Sequence, residues 1–111
     1  MRRRKRCTQL ESRPVAPGLL GRAWRHRRRG EHRRAMLTLR EACYRESGSA
    51  KLWTLYAVQC MRAGIRDEAT RALRQALWLR QRRRDDARVA VTLALLARVE
   101  RGDATVRLAA A

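Results

Sequence analysis

The sequence predicts an all-α fold built from antiparallel helical hairpins, with five to six helices. One observation is a set of four positions that recur with a spacing of 34 residues. The set is Gly30, Ala35, Leu39 and Ala42, which recurs as Gly64, Ala69, Leu73 and Ala76. A period of this size among helix formers is typical of stacked helical hairpins. The second observation is that no segment of useful length alternates apolar and polar residues, so we expect no strands. Together they favour an interaction scaffold over an enzyme.

The composition limits the chain to one domain and makes it strongly basic. Its 111 residues support one small core, and 28 basic against 10 acidic residues give a formal charge of +18. The charge is +11 over residues 1–34, +7 over 35–84 and zero over 85–111. Such a field attracts any polyanion without choosing among them. Arginine supplies 26 of the basic residues, and either function or a GC-rich genome explains that bias.

The chain begins with a basic segment that we expect to be disordered. Residues 1–14 combine five consecutive basic side chains with little apolar content, so we assign the helical-repeat domain to residues 15–111. Pro17 suits the start of a helix because the N–H that it lacks would have no helical partner there. The first predicted helix spans residues 15–29 and ends before Gly30, with basic residues near its C-terminus that favour the helix dipole.

The next two helices are bounded by glycine and serine. The second predicted helix spans residues 32–46, and the Ser-Gly-Ser sequence of residues 47–49 ends it. The same serines cap the third helix, whose apolar positions recur with a period near 3.6 and which ends at Gly64. Together with the first helix, these segments predict two helical hairpins joined at the serines.

Acidic residues begin the last predicted helices. Asp67 and Glu68 lie in the first turn of a fourth helix, where negative charge is favoured, and residues 80–84 form its polar exit. Asp85 and Asp86 cap a fifth helix that runs to about residue 101. Only residues 104–111 remain for a sixth helix, which is therefore limited to two short turns.

The second hairpin carries a recognisable residue pattern. It begins with Trp53, Tyr56, Ala57 and Cys60, continues with the turn glycine Gly64, and ends with an Ala-x3-Leu pair, Ala69 and Leu73. The pattern resembles a tetratricopeptide repeat, whose 34-residue unit reads W-x2-L-G-x2-Y and then A-x3-F. Tyr56 stands in the Leu slot of that pattern and Cys60 in the Tyr slot. The residues that we expect to pack the repeats are Gly30, Ala35, Leu39, Ala42, Trp53, Tyr56, Ala57, Gly64, Ala69, Leu73 and Ala76.

The resemblance implies a right-handed α-solenoid of about two and a half repeats, similar to small bacterial members of the family. It covers roughly residues 16–103 and is strongest over 50–80. The first unit keeps its turn and second helix, but Trp24 does not occupy the family's Trp slot. Gly102 follows Gly64 by 38 residues, which places about four extra residues in the connection before the third unit.

Family members generally bind protein segments in a concave groove lined by the first helix of each hairpin, so the resemblance implies the same role here. By register, the groove includes Leu20, Trp24, Arg27, Arg28, Lys51, Thr54, Val58, Met61 and Arg62. Apolar anchors beside arginines suit an acidic, amphipathic segment of another protein, because guanidinium pairs bidentately with carboxylate. The alternative interpretation is a solvated helix face without a partner.

A second functional hypothesis is nucleic-acid binding through arginine clusters. The clusters at residues 2–6, at 25–29 with Arg33 and Arg34, and at 80–84 could contact phosphates, and such binding would weaken steeply with salt. No helix-turn-helix, zinc-finger or base-stacking motif accompanies these clusters, so we expect the binding to be independent of nucleotide sequence.

The sequence offers no catalytic or metal-binding constellation, and we expect neither an enzyme nor a cofactor. Cys7, Cys43 and Cys60 lack the close spacing of a zinc or redox site, and the two histidines do not complete one. We expect Cys43 and Cys60 to be buried free thiols. Free cysteines, no signal peptide and no apolar stretch of membrane-spanning length predict a cytoplasmic protein.

The fifth predicted helix is the most apolar segment. Apolar residues between positions 87 and 99 occupy most of its circumference, and the short C-terminal segment is too small to cover them. A repeat array normally covers its last apolar face with a polar capping helix. We therefore expect homo-oligomerisation through this helix, docking of a partner on it, or a chain that is part of a longer array.

Overall fold

Five helices make up the described part of the protein, residues 17–102 of a computed structural model. They are α1 (Pro17–Arg28), α2 (His32–Arg45), α3 (Ala50–Arg62), α4 (Arg66–Arg82) and α5 (Asp86–Glu100). Residues 17–102 contain no strand, and the predicted all-α class is confirmed. The expected basic tail over residues 1–14 and the expected sixth helix over 104–111 lie outside the described residues.

Each helix packs mainly against its neighbours along the chain. The principal contacts are α1 with α2, α2 with α3, α3 with α4, and α4 with α5. The connections contain only three or four residues, which is typical of antiparallel helical neighbours. The ends of the helices therefore form two groups on opposite sides of the molecule, and functional residues must be assigned to one side or the other.

Small residues line the closest helix contacts. Ala35, Ala42, Ala69 and Ala76 are all fully buried, so both members of each pair separated by 34 residues are excluded from solvent. Leucines 39 and 73 and the ring of Tyr56 fill the space between them. Because interiors are packed to crystal-like density, these alanine positions have no room for larger side chains.

Buried polar groups tie α3 to both of its neighbours. The Tyr56 hydroxyl donates to Oε2 of Glu68 on α4 at 2.8 Å, and Nε2 of Gln59 donates to the carbonyl of His32 on α2 at 3.0 Å. Cys43 and Cys60 are buried free thiols. Burial raises the pKa of each thiol to about 12.

Three helix ends share one hydrogen-bond pattern. After α1, the N–H of Gly30 donates to the carbonyl of Arg27 while the next N–H reaches back five residues, and the same pair of bonds follows α3 and α4. This pattern places its penultimate residue in the left-handed region. Gly30 and Gly64 have φ values of +78° and +80°, but α4 ends with Arg84 at +54°. The last position is therefore strained in a way that the two glycines are not.

The polar exit expected at residues 80–84 is wrong, because α4 continues through Arg82. Leu79 is buried in a small cluster with Ala50 and Ala76, and Nη1 of Arg80 donates to the Thr92 hydroxyl at 2.7 Å. These contacts hold the additional turn against α3 and α5.

The extra residues expected in the connection before the third unit lie within helices instead. Helix α4 is three residues longer than α2, and α5 is two residues longer than α3, whereas the connection itself is one residue shorter than the one before α3. The altered spacing is therefore accommodated by longer helices and not by a longer connection.

Candidate partner-binding face

One face of α3 carries four of the nine residues expected in the groove. Thr54, Val58, Met61 and Arg62 follow one another at helical spacing and are half-buried. Met61 packs against the core, and the Thr54 hydroxyl donates to the carbonyl of Ala50 at 2.9 Å. The middle of this face is therefore mainly apolar, and its charge is concentrated at the Arg62 end.

Helix α1 contributes an aromatic and basic surface. Trp24 is half-buried and packs against the core, as does Leu20 one turn earlier. The guanidinium of Arg27 lies over the Trp24 ring, 5.3 Å from its centroid. Trp24, Arg27 and Arg28 together line a shallow cavity of about 250 Å³. This cavity can accommodate an apolar side chain beside two positive charges.

The charge of Arg62 is poorly solvated. Its Nε and Nη2 atoms are buried and have no hydrogen-bond partner within the described residues. Burial, followed by the nearby charge of Arg27, lowers the pKa of Arg62, although a guanidinium stays protonated at neutral pH. An unsatisfied buried charge is costly, and a carboxylate would supply both missing acceptors. We refer to Trp24, Arg27, Arg28 and Arg62 as the α1–α3 basic cluster.

Lys51 is separated from this cluster. It lies in the first turn of α3, and Arg62 ends the same helix, so eleven helical steps place their Cα atoms about 16 Å apart. Lys51 instead lines a second cavity, together with Arg80 at the end of α4, Arg83 in the following connection and Arg88 on α5. Of the nine residues expected from the sequence, Lys51 is therefore separated from Arg62 by almost the whole length of α3.

Two exposed aromatic residues were not expected from the sequence. Tyr44 on α2 is 68% exposed and Trp78 on α4 is 48% exposed, and they are 34 residues apart. The guanidinium of Arg82 lies 4.7 Å from the centroid of the Trp78 ring. The repeat spacing itself would have identified this pair, since both residues follow the buried alanine of their helix by two positions.

Helix α5 leaves part of its apolar surface uncovered. Only Thr92 and Val99 are buried, whereas Val91 is 58% exposed and Leu93 is 47% exposed. Ala90 and Ala94 lie beside them and are also exposed. Within residues 17–102, α5 packs mainly on α4, and this contact leaves Val91 and Leu93 exposed.

Within the described segment, every helix is too short or too polar to cross a bilayer. Comparison of the sequence with protein-family models and with curated proteins finds no match, and no solved structure matches it either.

Proposed function

We propose that this protein is a non-enzymatic interaction scaffold that binds an acidic, amphipathic segment of another protein at the α1–α3 basic cluster. The observation that carries the proposal is the half-buried guanidinium of Arg62, whose Nε and Nη2 atoms lack acceptors among the described residues. Both atoms are closed to solvent in this conformation, so a carboxylate accepts from them once the Arg62 side chain rotates outward, and the pairing then offsets the cost of the buried charge.

The surroundings of Arg62 support a partner that is amphipathic as well as acidic. The half-buried Trp24 ring offers a rigid apolar surface, and aromatic and arginine side chains are the residue types that most often dominate binding energy. Val58 and Met61 extend the apolar surface along α3. A helix with leucines on one side and glutamates on the other matches this arrangement.

Fluorescence anisotropy with such a peptide, labelled with fluorescein, tests the proposal at ~150 mM salt, where distant charges are screened. Arg62→Met removes the charged hydrogen bonds between the guanidinium and a peptide carboxylate, so we expect it to weaken peptide binding about tenfold or more. The matched control is Arg45→Met, which removes the same charge from an exposed i,i+4 pair with Glu41. We expect the control to change affinity less than about twofold. Equal losses in both variants would show unspecific attraction to a basic protein.

The arrangement of the hairpins supports a further part of the proposal, that they stack as a tetratricopeptide-type right-handed solenoid. The buried alanines are spaced by 34 residues, and the first two hairpins turn at left-handed glycines with identical hydrogen bonds. Stacking of this kind brings α1 and α3 side by side, which agrees with the effect of Arg27 on the pKa of Arg62.

One observation favours nucleic-acid binding as a second candidate function. Trp78 lies under Arg82 and lines a shallow depression of about 550 Å³ with Arg71, Arg74 and Gln75. Exposed aromatic rings among arginines are typical of surfaces that stack unpaired bases. An electrophoretic mobility assay at ~150 mM salt decides between the candidates. Retention of single-stranded DNA or RNA that Trp78→Ala abolishes would favour this second function.

The uncovered side of α5 supports self-association, with a second copy of the chain as the occupant. The surface is apolar at Val91 and Leu93, and α5 carries Asp86 at its start and Arg98 and Arg101 at its end. In an antiparallel pair, the acidic start of each helix lies against the arginines of the other. The charges of residues 85–111 sum to zero, so two copies meet there with least repulsion.

Light scattering after size exclusion at ~100 μM tests this pairing by mass action. We expect a dimer that Leu93→Glu converts to monomer. The control is Leu37→Glu on α2, because Leu37 is 42% exposed and Leu93 is 47% exposed. This variant should leave the dimer intact. A monomeric wild-type chain would contradict self-association without affecting the peptide-binding proposal.

A further inference from the structure

A second cavity lies at the other end of α3 from the α1–α3 basic cluster. It has a volume of about 440 Å³ and is lined by Ala50, Lys51, Arg80, Arg83, Asp85 and Arg88. Three elements meet there: α3 and α5 begin at this end, and α4 ends at it. We call it the Arg80 cavity.

The lining of the Arg80 cavity carries an excess of positive charge. Four of its residues are cationic and one is acidic. The carboxylate of Asp85 is already engaged, because Oδ2 pairs with Nη1 of Arg88 at 3.0 Å and Oδ1 accepts from the backbone N–H of Arg88 at 3.3 Å. These bonds hold the pKa of Asp85 below its usual range, so the carboxylate is ionised and committed to Arg88.

Arg80 forms no direct ion pair within the described residues, although the charge of Asp85 lies close enough to favour the protonated guanidinium. Its Nη1 donates to the Thr92 hydroxyl at 2.7 Å, and that fully buried hydroxyl donates in turn to the carbonyl of Arg88 at 2.6 Å. Its Nε is buried and lacks a hydrogen-bond partner in the described segment. A neutral hydroxyl therefore fixes the guanidinium in place but does not compensate its charge.

The backbone adds to the positive potential. Helix α3 directs its N-terminus at the cavity, where the side chain of Ser49 accepts the N–H of Leu52. The N-terminal turn of a helix carries a partial positive charge and donor N–H groups that favour anions. Arg83 is positioned by donating from Nη2 to the carbonyl of Gly48. Arg80 and Arg83 are thus held by neutral groups, whereas Arg88 is paired with Asp85, and the lining keeps an excess of positive charge for a ligand.

From this geometry we propose that the Arg80 cavity binds a small phosphate anion, either inorganic phosphate or the phosphate group of a small phosphomonoester. Guanidinium groups bind phosphate oxygens bidentately, and the ammonium of Lys51 adds a point charge at the rim. The site is independent of the α1–α3 basic cluster, since it shares no residue with it.

Isothermal titration calorimetry of the full chain with inorganic phosphate, at constant chloride of ~150 mM, tests the proposal. We expect saturable binding with one site per chain, a loss of affinity of at least about fivefold in Lys51→Met, and near-complete recovery in Lys51→Arg. Lys51 is exposed, so its replacement does not endanger folding. The control is Arg33→Met, which removes the same charge from an exposed position in the first turn of α2, at the end of that helix that is distant from the Arg80 cavity. It should change the affinity for phosphate less than about twofold.

Three results would overturn the proposal. The first is the absence of saturable heat up to ~10 mM phosphate, where even a weak site is occupied. The second is an equal loss of affinity in Arg33→Met and Lys51→Met, which would indicate attraction to net charge alone. The third is displacement of bound phosphate by a single-stranded oligonucleotide that has no terminal phosphate, which would show that the cavity binds the phosphodiester backbone of a nucleic acid. Arg62→Met should leave phosphate binding unchanged, so this test is separate from that of peptide binding.

Discussion

Replacing Arg84 with glycine should stabilise the protein. Arg84 has a φ of +54° and follows α4 at the position that Gly30 and Gly64 occupy after α1 and α3, with the same two backbone hydrogen bonds. A side chain in the left-handed region costs about 1–2 kcal/mol, because its Cβ approaches the following carbonyl oxygen. Glycine avoids this contact but loses more conformational entropy on folding, about 0.5–1 kcal/mol.

The difference between these two effects predicts a gain of about 0–1.5 kcal/mol in the free energy of unfolding for Arg84→Gly, with a central value of about 0.75 kcal/mol. For a domain of this size, the central value raises the melting temperature by about 3–6 °C. Urea unfolding followed by circular dichroism measures the free energy of unfolding, and thermal unfolding followed by the same signal measures the melting temperature. Gly64→Ala makes the reverse change and should lose about 1 kcal/mol.

The control for this experiment is Gln81→Gly. Gln81 is an exposed residue of the last turn of α4, where glycine has no strain to relieve and costs about 0.5–1 kcal/mol. Destabilisation of Arg84→Gly to the same extent as Gln81→Gly would refute the assignment of strain to Arg84.

Three other outcomes are expected. Ala35→Leu and Ala69→Leu should each lower the free energy of unfolding by about 1–3 kcal/mol, because both alanines are fully buried; unchanged urea midpoints would contradict close packing there. Burial raises the pKa of Cys43 and Cys60 to about 12. Between about pH 9 and 12 these two thiols therefore ionise in the unfolded chain but not in the folded one, and the free energy of unfolding should fall as the pH rises through this range. A constant midpoint over that range would contradict thiol burial. In a Cys7→Ser chain, neither remaining thiol should react with a disulfide reagent until the protein unfolds. Rapid reaction of the folded protein with the reagent would contradict the burial of Cys43 and Cys60.

The helix boundaries could be predicted where one residue controls the local geometry. The side chain of Ser49 caps α3 by accepting the N–H of Leu52 at 3.2 Å, and Asp85 caps α5 through the N–H of Arg88. Gly64 ends α3 in the left-handed region. In each case the residue type has a strong local preference, so the pattern was sufficient without knowledge of the tertiary structure.

The end of α4 depends on tertiary contacts and could not be predicted in this way. Residues 80–82 are polar and suggested an exit, but Leu79 is buried beside Ala50, and Arg80 contacts Thr92 on α5. These partners are separated from α4 by up to about thirty positions in the sequence. Arg84 completes a turn that normally contains glycine, and the sequence gives no indication of this.

The candidate site was predicted in part. Repeat register placed Thr54, Val58, Met61 and Arg62 on one face of α3, where the structure has them. Lys51 satisfies the same register but lies a full helix length away, because register defines a face of a helix and not a position along it. The lack of acceptors for Arg62 depends on burial, which only the three-dimensional structure provides.

Reversal of the charges in the α1–α3 basic cluster tests the proposed function most directly. The measurement compares the intact chain with an Arg27→Glu, Arg28→Glu and Arg62→Glu variant, using anisotropy with the glutamate–leucine peptide and with a matched lysine–leucine peptide at ~150 mM salt. We predict that the intact chain binds the glutamate peptide, and that the variant loses this binding at least about tenfold and gains affinity for the lysine peptide. Undiminished binding of the glutamate peptide by the variant would contradict the proposal that this cluster is the partner-binding site.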